Sequence, residues 1–233
     1  MEKSKHFVLV HGGGFGAWCW YKVKTLLEEA GQKVTAFDLA GQGRNLTRLN
    51  ELQTINDYHE PLFSYMASLS SKDNKVILVG HSYGGYAVSS AMERFPYKIS
   101  LAVFVTANMV GPHFTAQQIE DKMSNLYTPE FYKDSEVIIH DNENVDIFAG
   151  SNFLAQNISI FTVGGVRVFQ GKMSKIELLV SNERYGSIPR AYFIALEDRT
   201  IGVELQYWMV ENSPPNEVRK IIGANHMVMF SKP

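Results

Sequence analysis

A lone cysteine, Cys19, among 233 residues has no partner for an internal disulfide. The fold must therefore rest on packing and hydrogen bonds, and the expected compartment is a reducing one, the cytoplasm. An excess of one charge is missing too: 22 Lys and Arg against 24 Asp and Glu leave a formal net charge of -2, with no basic cluster. That balance argues against nucleic acid as a partner. No apolar run approaches the roughly 18 residues needed to cross a bilayer. The early run Phe7-Val8-Leu9-Val10 is cut off by His11 and Gly12, too short for a signal peptide and suited to a first strand. No membrane partner is expected, and no repeat or low-complexity tract appears.

What the chain does have is apolar residues, 45% of the total, enough for one substantial core with an insertion. Strands and helices alternate through the first half. Phe7 to His11 reads as a strand; Val23, Leu26, Leu27 and Ala30 form a helix face ended by Gly31; Val34 to Phe37 is the next strand. Leu62, Phe63, Met66 and Leu69 mark a second helix, and Leu101 to Val105 a later aliphatic strand. From about Gly111 to Ser187 the rhythm breaks down into aromatic and polar residues. It resumes with a strand at Ala191 to Leu196, a helix around Leu205 to Val210, a Pro214-Pro215 break and a strand at Val218 to Ile222. The fold class is α/β, a mostly parallel sheet with helices on both faces. Residues 1–110 and 188–233 form the expected core, and 111–187 an inserted cap.

Between the second helix and that later aliphatic strand lies the most specific signal. Val76-Ile77-Leu78-Val79 is apolar on both faces, as a central parallel strand should be, and it runs into Gly80-His81-Ser82-Tyr83-Gly84. This Gly-x-Ser-x-Gly turn after a strand and before the helix of Ala87, Val88, Ala91, Met92 and Phe95 has the form of a nucleophile elbow. The turn strains Ser82 and lifts its hydroxyl off the sheet, so Gly80 and Gly84 keep bulk away from it. Such a serine suits covalent acyl chemistry.

A nucleophilic serine needs a base, an orienting acid and oxyanion donors, which on this fold follow strand ends in the order Ser, acid, His. Glu197-Asp198-Arg199 follows one late strand and Gly223-Ala224-Asn225-His226-Met227 the other. His6 and His11 lie on the first strand, while His59, His113 and His140 fall in helical or cap regions. His81 belongs to the serine's own turn and is expected to point elsewhere. His226 alone is positioned to act as base, with a surface-loop histidine as the alternative. Asp198 is the acid candidate, with Glu197 in competition and a solvated carboxylate beside Arg199 as the plain alternative.

His6 to Gly12, Gly16-Ala17-Trp18, Trp20-Tyr21-Lys22, Lys33 to Ala36 and Asp38-Leu39-Ala40 resemble the plant methylesterase family of α/β-hydrolases. So do Lys75 to Ser82, Ala91-Met92-Glu93, Arg184 to Ser187, Glu197-Asp198 and Gly223 to Met227. The resemblance implies a Ser82, Asp198 and His226 triad, with the backbone N–H groups of Gly13 and Tyr83 as the oxyanion hole. It implies a serine carboxylesterase acting on a methyl ester of a small apolar plant metabolite, with no metal or organic cofactor. The substrate pocket is expected to include Gly12, Phe15, Tyr127, Phe131, Phe148 and Met227. His11 reads as scaffold of the oxyanion loop, and Cys19 and Trp18 as core.

The related hydroxynitrile lyases carry Thr, Glu and Lys where this chain has Gly12, His81 and Met227, so lyase chemistry is not expected. A ligand-binding homologue, or one whose product rearranges by decarboxylation, is the alternative. Family members also carry a longer cap segment where Phe161 to Val166 stands here, and continue into a closing helix where this chain reaches Ser231-Lys232-Pro233. Apolar surface left uncovered there would favour a homodimer.

Overall fold

The computed structural model describes residues 4–70, 75–126, 134–139, 145–148, 150–157, 167–170 and 178–233. In chain order, the first half contains β1 (His6–Val10), α1 (Tyr21–Glu29), β2 (Lys33–Ala36), α2 (Ile55–Ser68), β3 (Val76–Ser82), α3 (Gly84–Arg94) and β4 (Ile99–Ala107). The middle holds α4 (Ala116–Leu126), β5 (Glu136–Ile139), β6 (Val145–Phe148), α5 (Ser151–Asn157) and β7 (Arg167–Gln170). The chain closes with β8 (Arg190–Ala195), α6 (Val203–Asn212), β9 (Glu217–Ile221) and α7 (Val228–Ser231).

Six strands form one sheet in the order β2-β1-β3-β4-β8-β9, and every pairing in it is parallel. The α/β expectation is borne out. The elbow strand β3 lies inside the sheet, so its side chains are covered on both faces, which is why it reads as an unbroken apolar run. Strand periodicity sorts the core into two layers. Val8, Val10, Val76, Leu78, Ala102, Phe104, Tyr192 and Ile194 face one cluster; Leu9, Ile77, Val79, Val103, Val105, Ala191 and Ala195 face the other. Helices α2, α3 and α6 cover the first face with Leu62, Met66, Ala87, Met92, Leu205 and Met209. The second face is covered by α1, α7 and the short turn Ala17–Trp20.

Two expectations fail on that second face. Helix α1 forms where its periodicity says it should, yet it buries no residue fully, and Leu26 is 49% exposed. Trp18 is not core: it is 48% exposed, lying against Phe15 and Phe230 with ring centroids 5.8 and 6.4 Å away. Cys19 is buried and free.

The insertion is more regular than its sequence. Strands β5, β6 and β7 form an antiparallel three-stranded sheet, where no rhythm was expected. Each strand has four residues, too few for a period of two to stand out. The chain returning from the insertion is pinned to the end of α3. Glu93 accepts hydrogen bonds from the Ser181 backbone at 2.8 Å and its hydroxyl at 2.9 Å, and Arg184 donates to the Arg94 carbonyl at 2.9 Å.

Candidate active site

Ser82 ends β3 with φ of 53°. A non-glycine residue in the left-handed region is uncommon and persists only where its surroundings enforce it. Here the enforcement is packing of the following helix: a Cβ on Gly84 would stand 2.4 Å from the His11 carbonyl oxygen. Only glycine lets α3 start against the end of β1, and that close start turns the chain sharply at Ser82.

Two later loops converge on this serine. His226, in the loop between β9 and α7, accepts the Ser82 hydroxyl at Nε2 over 3.0 Å, and its Nδ1 donates to Asp198 Oδ2 over 2.8 Å. With the proton held on Nδ1 by the carboxylate, Nε2 keeps its lone pair for the serine. Asp198 follows β8 and is buried with His226. Its Oδ1 accepts the backbone N–H groups of Thr200 at 2.7 Å and Ile201 at 2.9 Å. Its Oδ2 also accepts the hydroxyl of Thr106. A buried carboxylate with four donors is compensated for its loss of water. Its competitor Glu197 is exposed.

His81 does not point away from the site. Its Nε2 donates to the His226 carbonyl oxygen over 2.8 Å, and the two rings lie 4.7 Å apart. Burial, and then the proximity of His226, hold the His81 imidazole well below its ordinary range, so it stays neutral beside the second ring. His11 serves as loop scaffold: Nε2 accepts Leu39 N–H at 3.0 Å, which leaves Nδ1 to donate to the Gly12 carbonyl at 2.7 Å. Asp38 braces the same loop by accepting Ala17 N–H at 2.7 Å and Arg44 N–H at 2.9 Å. Asp38 and Thr106 carry no motif of their own, and sequence reading assigned neither a place around the serine; His81 lies within the elbow motif, but the motif says nothing of its contact with His226.

A strained serine between a parallel strand and a helix, in hydrogen-bonded line with a histidine and a buried carboxylate, is the arrangement of an acyl-transfer hydrolase. Residues 7–233 match the model of the alpha/beta hydrolase family. The chain belongs to the α/β-hydrolase family. Among this hydrolase's relatives, methyl jasmonate esterase 1 of Vitis vinifera is 43% identical, with 100% of this chain and 94% of the relative covered. Norfluorocurarine synthase 2 of a Strychnos species is 41% identical, with 99% and 92% covered. The crystal structure of polyneuridine aldehyde esterase superposes with a TM-score of 0.90 at 41% identity, covering 99% of this chain and 95% of that one.

The remaining expected site residues of the hydrolase separate into three groups. Gly12 packs directly on Ser82, a Cβ there lying 2.9 Å from the serine Cβ. Gly13 follows it in the loop, and Tyr83 stands at the start of α3, its ring 6.0 Å from Tyr58 and 5.1 Å from Tyr86. Phe15 and Met227 are buried in the second core cluster. Tyr127 and Phe131 lie outside the described residues; Phe148 ends β6, and its side chain lies outside them as well. Among the described residues no helix is long and apolar enough to cross a membrane.

Proposed function

We propose that this hydrolase is a serine carboxylesterase that cleaves a methyl ester of a small apolar plant metabolite through an acyl-enzyme. The observation that carries this reading is the unbroken line of hydrogen bonds from Ser82 Oγ through the His226 ring to Asp198. Ser82 Oγ attacks the ester carbonyl as His226 Nε2 takes its proton, and Asp198 holds the tautomer and balances the imidazolium charge. The oxyanion that forms is held by the backbone N–H groups of Gly13 and Tyr83. The second of these heads α3, where the helix end favours negative charge. Loss of one such donor typically costs about 3 kcal/mol in the transition state. The tetrahedral intermediate collapses, His226 protonates the departing methanol, and water then repeats the cycle on the acyl-enzyme.

Gly12, packed directly on Ser82, supports an ester hydrolase over a hydroxynitrile lyase, because it offers no side-chain hydroxyl beside the serine where the lyases carry a threonine. Met227, buried beside the histidine, offers no cation to a leaving cyanide. A reaction in which hydrolysis is followed by decarboxylation is the second reading, favoured by a relative named as a synthase. We place the protein in the cytoplasm as a homodimer; a free buried thiol supports the first, and exposed Tyr21, Leu26 and Ile222 the second.

Methanol release from methyl salicylate, methyl jasmonate, methyl indole-acetate and alkaloid methyl esters tests the activity. Ser82→Ala is expected to lower turnover by about 10^4-fold or more; an unchanged rate would overturn the reading. Carbon dioxide evolved alongside methanol would favour the second reading, and a monomeric mass by light scattering would refute the dimer.

A further inference from the structure

Strand β4 carries a second residue in the left-handed region: Thr106, with φ of 39°. For a β-branched side chain this is a genuine outlier, and such strain gathers at functional sites. Its origin lies in the pairing of β3 with β4. His81 is opposite Val105, but Ser82 is opposite Ala107, so the register slips between them and Thr106 is the extra residue. A bulge of this kind re-aims one side chain out of the ladder. The bulge falls between the residues opposite His81 and Ser82.

Among the described residues the re-aimed hydroxyl finds a single partner, Asp198 Oδ2. That is the same oxygen that accepts His226 Nδ1–H. Asp198 Oδ1 is already filled by two backbone donors, so each carboxylate oxygen carries two donors and its acceptor sites are saturated. We infer that Thr106 is a positioning residue that fixes the Asp198 carboxylate and lowers its pull on the His226 proton, thereby setting the pH at which His226 becomes a free base. The hydroxyl shares charge on Oδ2 that would otherwise go wholly to the imidazole. Taking the hydroxyl away concentrates that charge on His226 and favours the imidazolium.

The titratable groups facing this pair from the packed elements are few. His81 of β3 stays neutral beneath the ring. Tyr192 of β8 is held well above its ordinary range by burial and by the Asp198 charge, and its hydroxyl donates to the Ala107 carbonyl at 2.9 Å. His11 stands behind His81, neutral through burial. Glu197 and Arg199 flank Asp198 from exposed positions. None of them competes for Asp198 Oδ2, so the Thr106 hydroxyl can be varied alone.

The inference rests on the esterase reading only for its consequence, so the experiment reads the histidine itself. The titration midpoint of His226 is followed by nitrogen-labelled NMR in the wild type and in Thr106→Val, Thr106→Ser and Thr106→Ala. The valine variant keeps the shape without the hydroxyl, and its midpoint is expected to rise by about half a unit to one unit, a 3- to 10-fold change in proton affinity. Serine restores the hydroxyl and should return the midpoint to the wild-type value. Alanine should follow valine and serves if valine fails to fold. In the active enzyme the acid limb of kcat/KM should move with the midpoint. A midpoint unmoved in both hydroxyl-free variants, or moved equally in the serine variant, overturns the role of Thr106; loss of turnover in Ser82→Ala bears on the esterase reading alone.

Discussion

The two faces of the main sheet are built from the same alternating strands and are covered very differently. Among the described residues, all the largest fully buried side chains except Leu9 lie on the face of α2, α3 and α6, among them Tyr58, Tyr86, Tyr192, Phe104 and Met66. On the other, α1 buries nothing fully, and Leu26, Trp18 and Tyr21 are about half exposed at 49%, 48% and 56%. The nucleophile's helix stands on the first face. The loop carrying His226 leans on the second, through Ala224, Met227 and Val228. Ser82 is therefore held by the deepest part of the core, and its base by a thinner layer, where local opening costs less free energy.

The sharpest way to break that comparison is to charge the covered face. His59 of α2 is fully buried, packed on Tyr58 and Phe63 at 5.7 and 5.9 Å, and neither ring nitrogen has a hydrogen-bond partner among the described residues. Burial pushes its imidazole from 6.5 down to about 3. Below pH 6.5 the unfolded chain takes up a proton that the folded one refuses, so stability is present above 6.5 and is lost as pH falls towards 3. The whole loss is at most about 5 kcal/mol. His59→Phe removes it. Denaturant unfolding should show His59→Phe gaining on the wild type by more at pH 4 than at pH 7, a difference in which the other titrating groups cancel; a gain that does not change with pH would mean that His59 is not carried neutral in the core.

Truncation sharpens the same contrast without charge. Met66, fully buried under the sheet, should cost about 4 kcal/mol as Met66→Ala, from lost transfer energy and the cavity left behind. Leu26→Ala on the open face should stay within about 0.5 kcal/mol. If Leu26→Ala proves as costly as Met66→Ala, the second face has cover in solution, and self-association through it would follow.

Much of this architecture was legible in the sequence, and what was not has a common cause. Strands β1, β3 and β4 announce themselves because burial on both faces demands unbroken aliphatic runs, and the elbow because the tight turn demands Gly80 and Gly84. His226 could be proposed as the base because it follows a strand end in a set order, while order alone left Asp198 in competition with Glu197, and the choice between them came from the family resemblance. Thr106 could not be singled out, since its orientation comes from a slip in register between two strands, which no single strand records. His81 reaches a carbonyl 145 positions away, and adjacency to the serine says nothing of that. Leu26 has the periodicity of a buried position; whether a second layer covers it is a property of the assembled sheet.

A smaller effect tests whether the covered face is uniformly dry. Glu120 of α4 is 4% exposed and accepts the Tyr86 hydroxyl at 2.7 Å. Burial raises its carboxyl from 4.5 to about 7, and neighbouring Asp121 adds to the rise. The sign is opposite to that of His59. Here the folded state holds a proton that the unfolded chain has released, so stability is full below pH 4.5, falls between 4.5 and 7, and is level above 7. The loss is at most about 3 kcal/mol. In the wild type the two groups oppose each other between pH 4.5 and 6.5, and their slopes partly cancel. Glu120→Gln keeps a donor and acceptor near Tyr86 but cannot ionise, so its gain over the wild type should be greater at pH 8 than at pH 4. A gain that does not vary with pH would place water beside the Glu120 carboxyl and show that this part of the face is wetter than its neighbours.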